Sequence, residues 1–254
     1  MDDKNKININ SDELHKFTLE KSLMQYLFHD IESNLQSLMN YSDVLYHRLL
    51  EEKPDIDKLK HITKNIISNI ELLRNTIQNH RVLNFEEKHS PINLGLVIRR
   101  IIGSLQLLAE QRKLFIKYRS DVKEEPIISG SERSIGLVIY NIILNDIKYS
   151  TYSPKSEQPI SVVLSKSENY YVTSIINYGV PINELEKELI FKAGYRGSTS
   201  FQNRSPGVGF GLYISNEIIK KHNGIIELKN KFLENDINMT EFLIRIPIIS
   251  NVEE

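Results

Sequence analysis

The sequence contains no cysteine, which excludes disulfides, thiol catalysis and thiolate metal sites and fits a reducing compartment. It has almost no net charge, since 32 Lys and Arg stand against 33 Asp and Glu and leave a formal balance of -1. From that balance no general attraction to nucleic acid or to an acidic membrane surface is expected. Long hydrophobic runs are also missing, and none approaches the roughly 20 residues that a membrane span needs. The polar start, Met1-Asp-Asp-Lys-Asn-Lys, has no signal-peptide hydrophobic region, so a cytoplasmic location is expected. What remains is ordinary globular composition. With 40% hydrophobic and 26% charged residues, the 254-residue chain can hold one large domain or two modest ones.

Residues 1–10 read as a disordered lead-in. From Ser11 to about Glu52 the pattern is helical, with Met24, Phe28, Ile31, Leu35, Leu38, Leu45 and Leu49 as apolar positions and Ser42 as the polar member. Their alternating spacing is the heptad rhythm of a coiled-coil seam. Lys53-Pro54-Asp55 breaks the helix, because proline cannot continue the ladder. A second helix is expected from about Asp57 to Leu83, with Leu59, Ile62, Ile66, Ile70, Leu73 and Ile77 as its stripe. Two long helices joined by a short turn form a hairpin over 11–85, and a homodimer closing a four-helix bundle would bury both stripes. A hairpin packing on its own second domain is the alternative. Residues 86–92, polar and charged, are the candidate linker. Over 93–250 helices alternate with short strand-like runs, including 159–164, 170–177, 224–229 and 241–246, which predicts an α+β sandwich with helices over one face of a mixed sheet.

Four stretches of this second half carry polar chemistry. Asn141, Asn145 and Lys148 fall on one side of a helix through four- and three-residue steps. Carboxamide oxygens can hold Mg²⁺ and an ammonium can reach phosphate, although a helix bearing them alone would read as a solvated face. Ile176-Asn-Tyr-Gly-Val-Pro-Ile182 ends a strand at a turn. Ile190-Phe-Lys-Ala-Gly-Tyr-Arg-Gly197 leads into a Ser-, Asn- and Gly-rich segment suited to a mobile lid. Finally Gly207, Gly209 and Gly211 alternate and run into a helix that carries Leu212, Ile214, Ile218 and Ile219, with Ser215 as its polar member. Such a loop before a helix N-terminus can approach a phosphate closely, or it can be a tight turn.

In that order the motifs Asn-x-x-x-Asn-x-x-Lys-Tyr, Asn-Tyr-Gly-x-Pro-Ile, Phe-x-x-x-Tyr-Arg and Gly-x-Gly-Phe-Gly-Leu resemble the ATP-binding domain of sensor histidine kinases. That domain is an α/β sandwich of the type shared with gyrase and with heat-shock and mismatch-repair ATPases. The hairpin is similar to the dimerisation and phosphotransfer domain of the same kinases, with His29-Asp30 as its motif. The resemblance implies that ATP and Mg²⁺ are the cofactors and that Asn145 holds the metal with Asn141 beside it. It places Lys148 at the phosphates, Tyr149 against adenine and Gly179 where the base approaches. Asn177 stands where the family usually has an Asp that binds the adenine amino group. Gly207, Gly209 and Gly211 would line the phosphates, and Ile182, Phe191, Tyr195, Arg196, Val208, Phe210 and Leu212 complete the implied ATP-binding set.

His29 would be the phosphoacceptor and Asp30 its general base. The chemistry agrees, since an imidazole attacks phosphorus in its neutral form and an adjacent carboxylate can orient it. Ser33 falls where some of these kinases position a phosphatase water, and Asn34 replaces a proline that would bend the helix. Asp146 replaces a small residue. With no sensor or receiver motif in the sequence, the expected partners are a separate sensor or activating protein and a response-regulator receiver domain. The reading is a two-component histidine kinase. Its rivals are a degenerate transmitter, acting as a phosphotransferase or phosphatase or as a receiver-binding scaffold without kinase activity, and a gyrase-type ATPase clamp, the latter disfavoured by the His-Asp hairpin ahead of the ATP-binding domain.

Overall fold

The computed structural model describes residues 11–84, 88–150, 159–198, 209–232 and 238–249. The chain divides into two compact units, residues 1–77 and 78–254.

The first unit is built from α1 (Ser11–Leu49) and most of α2 (Ile56–Asn84). α1 runs for 39 residues without a break, as expected with Asn34 rather than proline in its middle. Past the proline of the connecting turn, the Asp55 carboxylate accepts the backbone N–H groups of Asp57 and Lys58, both at 3.1 Å, and starts α2. The Lys58 N–H is the main reason that carboxyl lies below its usual range. Much of the apolar seam is open to solvent within one chain. Phe28 is 56% exposed, Leu35 44% and Ile70 51%, while Ile62 is buried.

In the second unit a five-stranded sheet has the order β2-β4-β5-β7-β6, where β2 is Ile116–Ser120, β4 Ile160–Ser167, β5 Tyr170–Gly179, β6 Ile225–Phe232 and β7 Asn238–Pro247. β2 and β4 run parallel and the other pairs antiparallel. The parallel pair requires a long crossover, supplied by β3 (Ile127–Gly130) and α4 (Glu132–Tyr149). α3 (Leu94–Gln111) packs on α4, and α4 on α5 (Gly211–Lys221). Cross-strand partners such as Val162 with Ile175 and Ile175 with Phe242 place one apolar row beneath these helices. The mixed sandwich is the one expected from the alternation of helical and strand-like runs.

One strand was not expected. Ser90–Asn93, whose first three residues fall in the expected linker, forms β1 and pairs antiparallel with β3. Four residues containing Pro91 are too short and too polar to show alternation, and proline is at home in such a marginal strand. Its last residue, Asn93, caps α3 by accepting the Leu96 N–H at 3.1 Å.

Candidate functional site

α4 and α5 are tied side by side by polar groups. Asn141, buried on α4, donates its amide N–H to the Gly211 carbonyl at 3.3 Å and lies 3.5 Å from Ser215 Oγ. The Ser215 hydroxyl in turn donates to the same carbonyl at 2.9 Å. A Cβ on Gly211 would lie 3.6 Å from the Asn141 carboxamide carbon, an ordinary packing distance, so the contact runs through the Gly211 carbonyl and makes no demand for glycine. Asn141 therefore holds the first turn of α5 in place. Asn145, Lys148 and Tyr149 are half-buried further along the same helix. At the other end of the pair, the ring of His222 accepts the Ser131 N–H through Nε2 at 3.2 Å, and its Nδ1 lies 2.8 Å from the Ile218 carbonyl. That arrangement assigns the ring proton to Nδ1. The His89 ring stacks on it with centroids 4.4 Å apart.

The end of α4 meets the end of β5. Ser150 and Gly179 form a bridge, and the Val180 N–H reaches the Tyr149 carbonyl at 3.1 Å. A Cβ on Gly179 would fall 2.2 Å from that carbonyl, so the backbone contact itself demands glycine here. Beside it Asn177 is 5% exposed and donates from Nδ2 to Ser150 Oγ at 3.4 Å. Its Oδ1 is buried with no hydrogen-bond partner among the described residues, and the same is true of Asp146 Oδ2 on α4. Burial pushes the Asp146 carboxyl well above the usual carboxylate range.

Two short 3₁₀ turns, Glu184–Glu186 and Leu189–Phe191, follow β5. The Ile182 carbonyl is held by Asn230 Nδ2 at 2.7 Å, and the Phe191 ring meets Phe242 edge to face. Glu186, buried, accepts the Tyr195 hydroxyl at 3.0 Å and the Ser198 N–H at 2.9 Å. Burial alone would raise the Glu186 carboxyl, but these donors outweigh it and leave its pKa below the ordinary value. Gly209 has φ +78, and a Cβ on it would lie 2.3 Å from the Tyr195 carbonyl oxygen. No other residue type fits both conditions. Phe210, whose ring has no acceptor to offer, stands at the start of α5, so no side chain caps its first turn there.

The structure thus brings Asn141, Asn145, Lys148, Tyr149, Asn177, Gly179, Gly209, Phe210, Gly211 and Leu212 onto the α4 helix, the end of β5 and the start of α5. Ile182, Phe191, Tyr195 and Arg196 lie on the segment that joins them. Gly207 and Val208 lie outside the described residues. His29, Asp30 and Ser33 are on α1, where the Ser33 side chain is exposed and those of His29 and Asp30 are outside the described set. Sequence reasoning did not find Glu186, Ser150 or His222; Ser150 and His222 work through partners distant in sequence, and Glu186 through two donors across its own loop.

Residues 130–249 match the model of the histidine kinase-, DNA gyrase B- and HSP90-like ATPases. The second unit shares its fold with solved catalytic domains of histidine kinases. The catalytic domain of histidine kinase ThkA superposes with a TM-score of 0.53 at 23% identity, covering 64% of this chain and 97% of that one. A structure of ThkA in complex with response regulator protein TrrA matches 92% of this chain and 63% of its own, with TM-score 0.55 and 18% identity. Among curated proteins the chain is similar to the sensor histidine kinase MtrB of Mycobacterium leprae, 22% identical over 212 residues. That match takes in 82% of this chain but only 37% of MtrB, so the chain spans little more than a third of this relative.

The site's donors fit the ligands this fold implies. Asn177 Oδ1, without a partner among the described residues, is an acceptor that a base amino group could fill. Asn145 offers one oxygen of the kind Mg²⁺ takes when phosphates and water supply the rest. Among the described residues no helix is long and apolar enough to cross a membrane.

Proposed function

We propose that the chain is an ATP-dependent protein-histidine kinase of a two-component system, acting on its own His29 and passing the phosphoryl group to an Asp of a separate response regulator. The observation that carries this reading is the convergence of Asn141, Asn177 and the Gly209–Gly211 turn within a segment that matches the histidine-kinase ATPase model. The likeness to ThkA, a kinase solved together with a response regulator, supports a receiver domain as partner. Bound Mg²⁺ would neutralise charge on the phosphates, with Asn145 as its protein ligand and Lys148 as a second cation near them. Asn141 and Ser215 keep the first turn of α5 fixed, so its N–H groups are oriented toward the phosphate side before the nucleotide arrives. Neutral His29 would attack the γ-phosphorus, the bond to the β–γ bridging oxygen would break with ADP leaving, and the ring proton would pass to Asp30. Retention of a free acceptor at Asn177 favours nucleotide binding over a scaffold that ignores ATP.

The test is incubation with γ-labelled ATP and Mg²⁺ beside a His29→Gln variant. Acid-labile, base-stable label is expected on the wild type and absent from the variant. Label persisting on His29→Gln would place the acceptor elsewhere. Absence of both label and ATP binding would sink the kinase reading.

A further inference from the structure

Asp146 is a buried titratable group with no part in the scheme above. It lies 2% exposed on α4, sharing its buried side with Ile142, Ile143 and Ile147 where that helix packs on β4 and β5. One turn further on is Ser150, whose N–H reaches the Asp146 carbonyl at 2.8 Å. The Ser150 hydroxyl oxygen accepts the Asn177 amide, which turns the nitrogen of that carboxamide toward Ser150 and leaves Oδ1 as its unused atom. Two oxygens carried by the same helix end and strand end, Asp146 Oδ2 and Asn177 Oδ1, are therefore buried and unpartnered among the described residues. Leaving such acceptors empty costs free energy that a matching donor recovers. A primary amino group on an aromatic ring brings two N–H bonds in one plane, one for each oxygen.

We propose that Asp146 is a specificity-determining residue that acts with Asn177 to bind the exocyclic amino group of the adenine base. Where the family resemblance leads one to expect a single strand carboxylate, this chain divides the task between a strand carboxamide and a helix carboxyl. An acceptor oxygen remains on Asp146 whether or not the carboxyl is ionised, so recognition does not depend on its titration. This assignment rests on the reading of the second unit as an ATP-binding domain.

Calorimetric titration of the full chain with ATP and with purine riboside triphosphate, which lacks only the 6-amino group, tests it. The wild type should prefer ATP by about a hundredfold, the size expected for two buried acceptors left unpaired by the analogue. In Asp146→Ala the preference should drop about tenfold, as it should in Asn177→Ala. Asp146→Asn, which keeps an oxygen at the same place, should retain most of it. The unliganded Asp146→Ala protein should unfold at a temperature no lower than the wild type, because an unpaired buried carboxyl has been removed. If alanine does not fold, Asp146→Leu, similar in size and without an acceptor, gives the same readout. An unchanged preference in a folded Asp146→Ala or Asp146→Leu protein that still binds ATP overturns the role of Asp146 and leaves the nucleotide reading intact. No binding of either triphosphate by the wild type overturns both.

Discussion

Glu186 shows how one side chain fixes a segment that composition marks only as polar. It gathers the Tyr195 hydroxyl and the Ser198 N–H on a single carboxylate oxygen. This closes the chain between the 3₁₀ turns and the start of the Ser-rich stretch. Its pKa lies below the ordinary 4.5, so the folded state holds the ionised form more tightly than the unfolded chain does. The contribution is then complete at pH values above that ordinary value, and it is lost as pH falls through the lower folded one. Glu186→Gln keeps an acceptor oxygen but not the charge. Exchange of the Ser198 amide, corrected for its intrinsic pH dependence, should be slower in the wild type than in the variant at about pH 7, and the two should converge as pH falls below the folded pKa. A difference that stays constant over this range would mean that the charge contributes nothing to the loop.

At the scale of elements, α4 is the member to which the others are fastened. Its start receives His222 from the end of α5, its middle receives the first turn of α5 through Asn141, and its end bridges to Gly179 of β5. Removing the middle tie with Asn141→Ala should cost about 1 kcal/mol in urea unfolding, the net worth of a typical hydrogen bond, since Ser215 still donates to the Gly211 carbonyl. ATP affinity should fall several-fold at the same time, because the first turn of α5 loses its anchor. Unchanged stability would show that Ser215 alone holds that turn.

The elements themselves were largely legible, because periodicity reports burial. Ile135, Val138, Ile139, Ile142 and Ile143 predict a helix over 131–149, and the structure has it at Glu132–Tyr149. Ser215 was visible as the polar member of an apolar band, and the structure supplies its reason in the Gly211 carbonyl and the Asn141 amide. What was not legible depends on distance in sequence. Nothing local to His222 announces that it will accept the N–H of Ser131, and nothing local to Ser90–Asn93 announces β3 as its partner. Gly179 was noticed for its motif, while the observed demand for glycine comes from the Tyr149 carbonyl 2.2 Å from where a Cβ would stand. Local pattern reveals that a position is buried or special, and only the fold reveals against what.

At the scale of the whole molecule, exposed apolar side chains recur along α1 and α2. Phe28, Leu35, Leu49, Ile70 and Ile77 belong to the heptad stripes, yet each remains more than 40% exposed in the single chain, with values from 43% to 56%. Apolar side chains repeated along two long helices are unfavourable in water unless another surface covers them. A second copy would meet the need with identical stripes, since an isologous pairing of two hairpins would bury them in one four-helix core. Sedimentation of the full chain should therefore give the mass of a dimer at micromolar concentration. Leu35→Glu combined with Ile70→Glu places charges at two stripe positions and should shift the protein to monomer. ATP binding, which belongs to the other unit, should persist in that variant. A wild type that sediments as a monomer at every concentration would contradict the bundle, and a mutant that remains dimeric would place the interface on a different surface.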